Sequence, residues 1–223
     1  MKRLMVQIYE IRTPAEARAL SGMDIDAAGF WAASTPRDSA LLFAEARAVR
    51  AALPEGVKSV ALCLASDEAE ITALIRAVEP DIVHLGSRPE AVLPEQVRRL
   101  KAAHPSTGFM RSIPVSGEAS LQLAASYDGI ADYLLLDTRD EATGNFGATG
   151  MTHDWDLSRR IVLAVNVPVI LAGGLTPDNV AEAVRRVRPA GVDSKTGTDR
   201  PGTHEKDFEK VARFVRQARA VEA

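Results

Sequence analysis

The sequence predicts an α/β chain folded as a single (β/α)8 (TIM) barrel, and three observations carry that expectation. Short runs rich in β-branched and apolar residues alternate with amphipathic runs from end to end, eight of each. The length of 223 residues suits one such barrel, a fold of typically about 250 residues. No Ser/Gly-rich linker divides the chain, so one domain spanning residues 1–223 is expected. An open doubly wound sheet would need a glycine fingerprint in its first turn, and Tyr9-Glu10-Ile11-Arg12 has no glycine.

The elements follow in order. Leu4 to Ile8 reads as the first strand, ending at Tyr9-Glu10, and Thr13-Pro14 opens a helix from Ala15 to Leu20 with Gly22 as its stop. Asp26 to Trp31 is the second strand and Ala32 to Arg37 a loop. Asp38 or Ser39 is then placed to cap a long Ala/Leu helix to Leu53. Val57 to Leu64 is the third strand, and Ser66-Asp67 caps the helix Glu68 to Val78. Ile82 to Leu85 is the fourth, with Pro94 starting a helix to His104. Gly108 to Ile113 is the fifth, and Gly117-Glu118 precedes a helix to Tyr127. Ile130 to Leu136 closes on Asp137 as the sixth, and the polar loop Thr138 to Asp154 leads to the helix Trp155 to Val165. Val167 to Leu171 and Gly191 to Asp193 are the last two strands. Thr176-Pro177 reads as an N-cap and first helical position for the run to Val187, and a final helix covers Lys206 to Ala220.

Composition narrows the function. Hydrophobic content of 46% and charged content of 26% belong to an ordinary globular protein, and a net charge of −3 without a basic block argues against nucleic acid or an anionic membrane as partner. A single cysteine, Cys63, rules out an internal disulfide framework or a Cys-rich metal site and fits a reducing compartment. In its apolar run it reads as a core filler. No stretch reaches the roughly 18 apolar residues of a membrane span. A cytoplasmic protein, monomer or homodimer, is expected.

Chemistry in such a barrel gathers at the C-terminal ends of the strands. Two consecutive loops stand out there: Gly173-Gly174, and Asp193-Ser194-Lys195-Thr196-Gly197. Glycines let backbone N–H groups approach an anion, a helix N-terminus adds a favourable dipole and Lys195 a charge, so these loops suit a phosphate dianion. Ordinary βα turns would also use Gly-Gly. Asp137, ending an apolar strand, is placed to be a general acid or base with a raised pKa, or else a helix N-cap or an ion-pair partner of Arg139. Other polar strand-end residues are Tyr9, Glu10, Arg37, His84, His153, Asp154 and Arg111, the last a candidate for a substrate carboxylate or for a salt bridge in the barrel mouth. His84, Asp137, His153 and Asp154 lack paired metal-ligand spacing, so neither a metal nor any other cofactor is expected.

Several of these stretches resemble one family. Val169 to Asn179 and Gly191 to Gly202 resemble the stretches that follow strands seven and eight in phosphoribosylanthranilate isomerase, the tryptophan-pathway barrel. Leu134-Leu135-Leu136-Asp137 resembles the strand carrying that family's catalytic aspartate, and Gly147 to Trp155 its G-G-T-G-K-T-F-D-W segment. Thr35-Pro36-Arg37 resembles its S-P-R, and Val83-His84-Leu85 falls where it has V-Q-L.

The resemblance implies an Amadori rearrangement, an aldose-to-ketose shift on a phosphorylated aminosugar, with a sugar-like phosphate as the partner. It gives Asp137 the general-acid role, Gly173, Gly174, Thr196 and Gly197 the phosphate, and Arg37 a substrate contact. The family's base is a cysteine ending the first strand; here that position is Tyr9, followed by Glu10, and Lys195 and Met151 also depart from the pattern. Three readings follow: Glu10 serves as base opposite Asp137; Tyr9 lines the pocket of a different sugar phosphate, with His84 or His153 involved; or the barrel binds a phosphorylated ligand without catalysis, as a sensor or partner subunit.

Overall fold

The computed structural model describes residues 3–37, 39–138 and 154–221, and over them the expected barrel closes. Its eight parallel strands are β1 (Met5–Tyr9), β2 (Ala27–Ala33), β3 (Lys58–Cys63), β4 (Ile82–Leu85), β5 (Gly108–Pro114), β6 (Tyr133–Asp137), β7 (Val169–Leu171) and β8 (Gly191–Ser194). Each pairs with the next, and β8 returns to β1 in the register Gln7↔Asp193, which removes open sheet edges. The surrounding helices are α1 (Pro14–Ala19), α2 (Phe43–Ala51), α3 (Glu68–Val78), α4 (Pro94–Ala103), α5 (Ala119–Ser126), α6 (Trp155–Ala164), α7 (Val180–Val187) and α8 (Phe208–Arg219).

Strand alternation divides the core in two. Ile8, Phe30, Val83, Leu134, Leu136 and Val192 join the helix faces in the outer core, where Cys63 also sits, its thiol pushed by burial up to about 11. Tyr9, Ala27, Val60, Ile82, Met110, Leu135, Ile170 and Ala172 fill the barrel. At the end of the first strand Ile8 faces the helices and Tyr9 the interior.

At the opposite end of the barrel, carboxylates serve the backbone. Asp26 accepts the Val6 N–H at 2.7 Å, Asp81 the Ser59 N–H at 2.8 Å and Asp132 the Phe109 N–H at 2.8 Å. Each ties one strand start to the loop entering a neighbour, the structural role expected at that end.

Three boundaries differ from expectation. Helix α2 starts at Phe43, because Leu41–Leu42 pairs beside Ala32–Ala33 of β2 and the Glu45 carboxylate accepts the Leu42 N–H at 2.8 Å. Ser39 therefore does not cap it, and Asp38 lies outside the described residues. Thr176 does accept the Asp178 N–H at 3.2 Å, but as a turn, and α7 begins only at Val180. After β8 comes a 3₁₀ turn, Thr196–Thr198, in place of a helix N-terminus. Among the described residues no helix is long and apolar enough to cross a membrane.

Candidate active site

The C-terminal ends of β1, β3, β4, β6, β7 and β8 surround an open cavity of about 110 Å³, lined by Tyr9, Leu62, His84, Leu135, Asp137, Ala172 to Leu175 and Asp193 to Thr196. Its two sides are built differently.

On the β7–β8 side the backbone makes the surface. Gly173 and Gly174 have φ of 75° and 65°, a region that excludes most side chains, and neither N–H has a backbone partner among the described residues. The β8 loop lies directly against this one: Ser194 Oγ donates to the Leu175 carbonyl at 2.8 Å, and a Cβ at Gly197 would overlap that same oxygen. Beneath the loop lies a group that sequence reasoning placed at the start of the last helix. Lys206, buried, donates to the Lys195 carbonyl at 3.1 Å and pairs with the Asp199 carboxylate. No local pattern marks it, since Lys206 and Asp199 meet only when the segment after β8 folds back.

Two carboxyls face this surface. Burial pushes Asp137 up to about 6, against the Thr138 N–H at 2.7 Å and the Lys195 charge, which both favour its anion. Burial likewise raises Asp193 to about 7, although Gln7 Nε2 donates to it at 3.0 Å, and the Asp137 charge adds to the rise. A carboxyl with a pKa near neutrality can deliver and recover a proton under working conditions. Asp137 is no helix cap in this arrangement: Asp154 caps α6, accepting the Asp156 N–H at 2.8 Å.

On the β1–β4 side the surface is side chain. The Tyr9 hydroxyl meets His84 Nδ1 at 2.9 Å, and His84 Nε2 meets Ser112 Oγ at 2.6 Å. Gly29 clears the space for the phenol, because a Cβ there would run into its ring. All three residues are buried, and burial holds both partners neutral: Tyr9 is pushed well above 10, and His84, with Arg111 nearby, down to about 3. Ser112 was not singled out from sequence. Its signal is strand parity, since it shares a face with Met110, which fills the barrel interior.

The remaining candidates stand elsewhere. Glu10 is buried beyond the end of β1 but does not line the cavity. Its Oε2 is 2.7 Å from Lys195 Nζ. Burial alone would raise its pKa, but the Lys195 hydrogen bond and charge, with Ser39, hold it below the usual value. Arg37 is exposed and borders a second cavity with Trp31, Phe43, Cys63 and Glu70. Among the described residues Arg111 makes neither salt bridge nor contact with this cavity. On the outward parity of β5, it donates to the Leu85 carbonyl and lies 5.6 Å from the Tyr127 ring centre. His153 and most of Gly147 to Trp155 lie outside the described residues.

Comparison with known proteins agrees with this geometry. The family model described as N-(5'phosphoribosyl)anthranilate (PRA) isomerase matches residues 7–217. The N-(5'-phosphoribosyl)anthranilate isomerase of Methanocella arvoryzae is 35% identical over 96% of this chain and 97% of its own. That of Halobacterium salinarum is 37% identical over 96% and 95%. The crystal structure of phosphoribosyl anthranilate isomerase from Thermotoga maritima superposes with a TM-score of 0.81 at 25% identity, over 98% of this chain and 100% of that one. With matches of this extent, around a cavity flanked by glycine loops and buried carboxyls, the chain belongs to the N-(5'-phosphoribosyl)anthranilate isomerase family.

Proposed function

We propose that this chain acts as one barrel domain, monomer or homodimer, in the cytoplasm, and isomerises N-(5'-phosphoribosyl)anthranilate to the corresponding 1-amino-1-deoxyketose phosphate in tryptophan biosynthesis. The observation that carries this reading is the pairing, in one cavity, of a glycine-built anion surface with a carboxyl whose pKa burial has moved to about 6. The phosphate sits on Gly173, Gly174 and the Ser194–Gly197 loop, with Lys195 as its cation. Asp193 contacts the sugar.

Asp137 starts the reaction. Protonated, it gives its proton to the ribose ring oxygen; the C1–O bond breaks and the nitrogen lone pair forms a C1=N iminium. A carboxyl raised to about 6 gives up that proton more readily than a hydroxyl and holds it longer than an ordinary aspartate.

The test is turnover of phosphoribosylanthranilate, followed through the loss of its fluorescence. Wild type turns over, and Asp137→Asn loses about 10²–10⁴-fold in kcat while a product analogue still raises its melting temperature. Absence of wild-type turnover at high enzyme concentration, with phosphorylated ligands still stabilising the fold, would replace the isomerase by a phosphate-binding barrel.

A further inference from the structure

The isomerisation needs a second group, one that removes the C2 proton from the iminium and later returns a proton to C1. We infer that Tyr9 is this carbon-proton carrier, with His84 as its proton reservoir and Ser112 as the group that fixes the His84 ring; the assignment rests on the isomerase reading above.

The choice is made by elimination within the cavity. Among the described residues that line it, the groups able to take a proton are Tyr9, His84, Asp137, Asp193 and Lys195. Asp137 is committed to the ring oxygen. Lys195 is held by Glu10 in the anion loop, and its charge is needed there. Asp193 accepts from Gln7 Nε2 of β1 at 3.0 Å and is assigned above to the sugar. Tyr9 and His84 remain, joined to each other by a hydrogen bond of 2.9 Å. Glu10 is excluded by place, since it lies off the cavity with its carboxylate already paired.

The hydrogen-bond chain gives Tyr9 a way to act while remaining neutral. With His84 carrying its proton on Nε2, that N–H donates to Ser112 Oγ, and Nδ1 accepts the phenol O–H. The lone pairs of Tyr9 then remain for the cavity. In the ring-opened iminium the C2–H bond breaks, and its electron pair forms the C1=C2 bond while the C1=N pair retreats to nitrogen. The C2 proton goes to the Tyr9 oxygen and the phenol proton to His84 Nδ1. His84 becomes an imidazolium, and the carboxylate that ring opening left on Asp137 supplies the opposing charge across the cavity.

The return path closes the balance. His84 gives its Nδ1 proton back to the Tyr9 oxygen, and Tyr9 gives the proton it carries to C1. The C2 enol proton returns to Asp137, leaving the ketone. Each group ends as it began, and no external oxidant or co-reactant is required. Because C1 and C2 are neighbours, one oxygen on one face of the chain serves both.

The experiment uses phosphoribosylanthranilate as substrate, unlabelled and with deuterium at C2, on wild type, Tyr9→Phe and His84→Gln. Tyr9→Phe keeps the ring that fills the space beside Gly29 and removes only the hydroxyl. The expected result is a kcat at least 10²-fold lower with KM within about threefold and an unchanged fold. His84→Gln keeps a hydrogen-bonding group but no proton reservoir. It is expected to lower kcat with little change in KM, which a merely structural role would not do. In wild type, part of the deuterium reappears at C1 of the product, because the carrier returns the hydrogen it took. Wild-type turnover with Tyr9→Phe within about threefold of it, or complete loss of the label to solvent, would overturn the assignment and leave the isomerase reading standing. A wild type that does not turn over would instead bring down the isomerase reading, and this assignment with it.

Discussion

The two sides of the barrel mouth solve the same problem, placing polar groups around a small ligand, by different means. The β7–β8 side uses backbone: glycines with positive φ, a loop-on-loop contact at Gly197, and a buried lysine that pins the loop from beneath. The β1–β4–β5 side uses side chains that reach across strands, with Tyr9, His84 and Ser112 joined end to end. A backbone surface is indifferent to most side-chain changes and fails when a Cβ is added. A side-chain surface fails at a single hydroxyl and tolerates repacking. The first kind suits an invariant anion, the second a reaction whose protons must be steered.

The largest effect that separates the two sides is electrostatic. Asp137 and Asp193 carry folded pKa values of about 6 and about 7, above the roughly 3.9 of an unfolded aspartate. The folded state therefore binds more protons than the unfolded one between those values. The stability they supply is complete below about pH 4, is lost as pH rises through 6 and 7, and is flat beyond. At about 1.4 kcal/mol per pKa unit the pair is worth on the order of several kcal/mol, shared between coupled groups. Chemical denaturation from pH 4.5 to 8.5 should show that fall, and Asp193→Asn should flatten much of it. A stability that rises across the same range would mean that the carboxyls are ionised and compensated, and that the acid role of Asp137 fails with them.

Next in size is the attack on the backbone side. Gly197→Ala drives a methyl into the Leu175 carbonyl, an overpacking of backbone on backbone that costs about 1–3 kcal/mol. It should lower the melting temperature by several degrees and weaken inorganic phosphate binding, measured by calorimetry, at least tenfold. Unaltered phosphate affinity would place the anion elsewhere. Lys195→Met touches the same side through charge alone. It should raise KM about tenfold, the order of 1.4 kcal/mol, and because the Lys195 charge also favours the Asp137 anion, steady-state kinetics should show kcat shifting with it.

How legible each side was in the sequence follows from the same contrast. The barrel, its strand order and the glycine loops are written locally, in alternation, in caps such as Asp67, and in Gly173-Gly174 and Gly197 within short stretches. Asp137 could be found because it ends an apolar strand. The Tyr9–His84–Ser112 chain could not, since its members are separated by 75 and 28 residues and meet only through register. Arg111 was picked at that strand end for its charge, whereas parity turns it outward and brings Ser112 to the interior. Arg37 was assigned to substrate by resemblance, and the geometry puts it beside a different cavity. Glu10 was the natural candidate for a missing base by composition. What composition cannot show is that Lys195, arriving 185 residues later, occupies its carboxylate.

That last contact yields the smallest predicted effect and the sharpest division between the sides. Glu10→Gln removes a charge from Lys195 but leaves a side chain able to accept its hydrogen bond. Half-freed, Lys195 is less firmly held in the anion loop, and KM should rise only severalfold. Glu10 is outside the cavity, so kcat should stay within about threefold, in contrast to the collapse expected for Tyr9→Phe. Steady-state kinetics of the two variants side by side decide the matter. A kcat that falls 10²-fold in Glu10→Gln and survives in Tyr9→Phe would place the base at the end of β1, against Lys195. The side-chain half of the mouth would then be a wall of the pocket, and the Tyr9–His84 chain a recognition element for whatever lies against it.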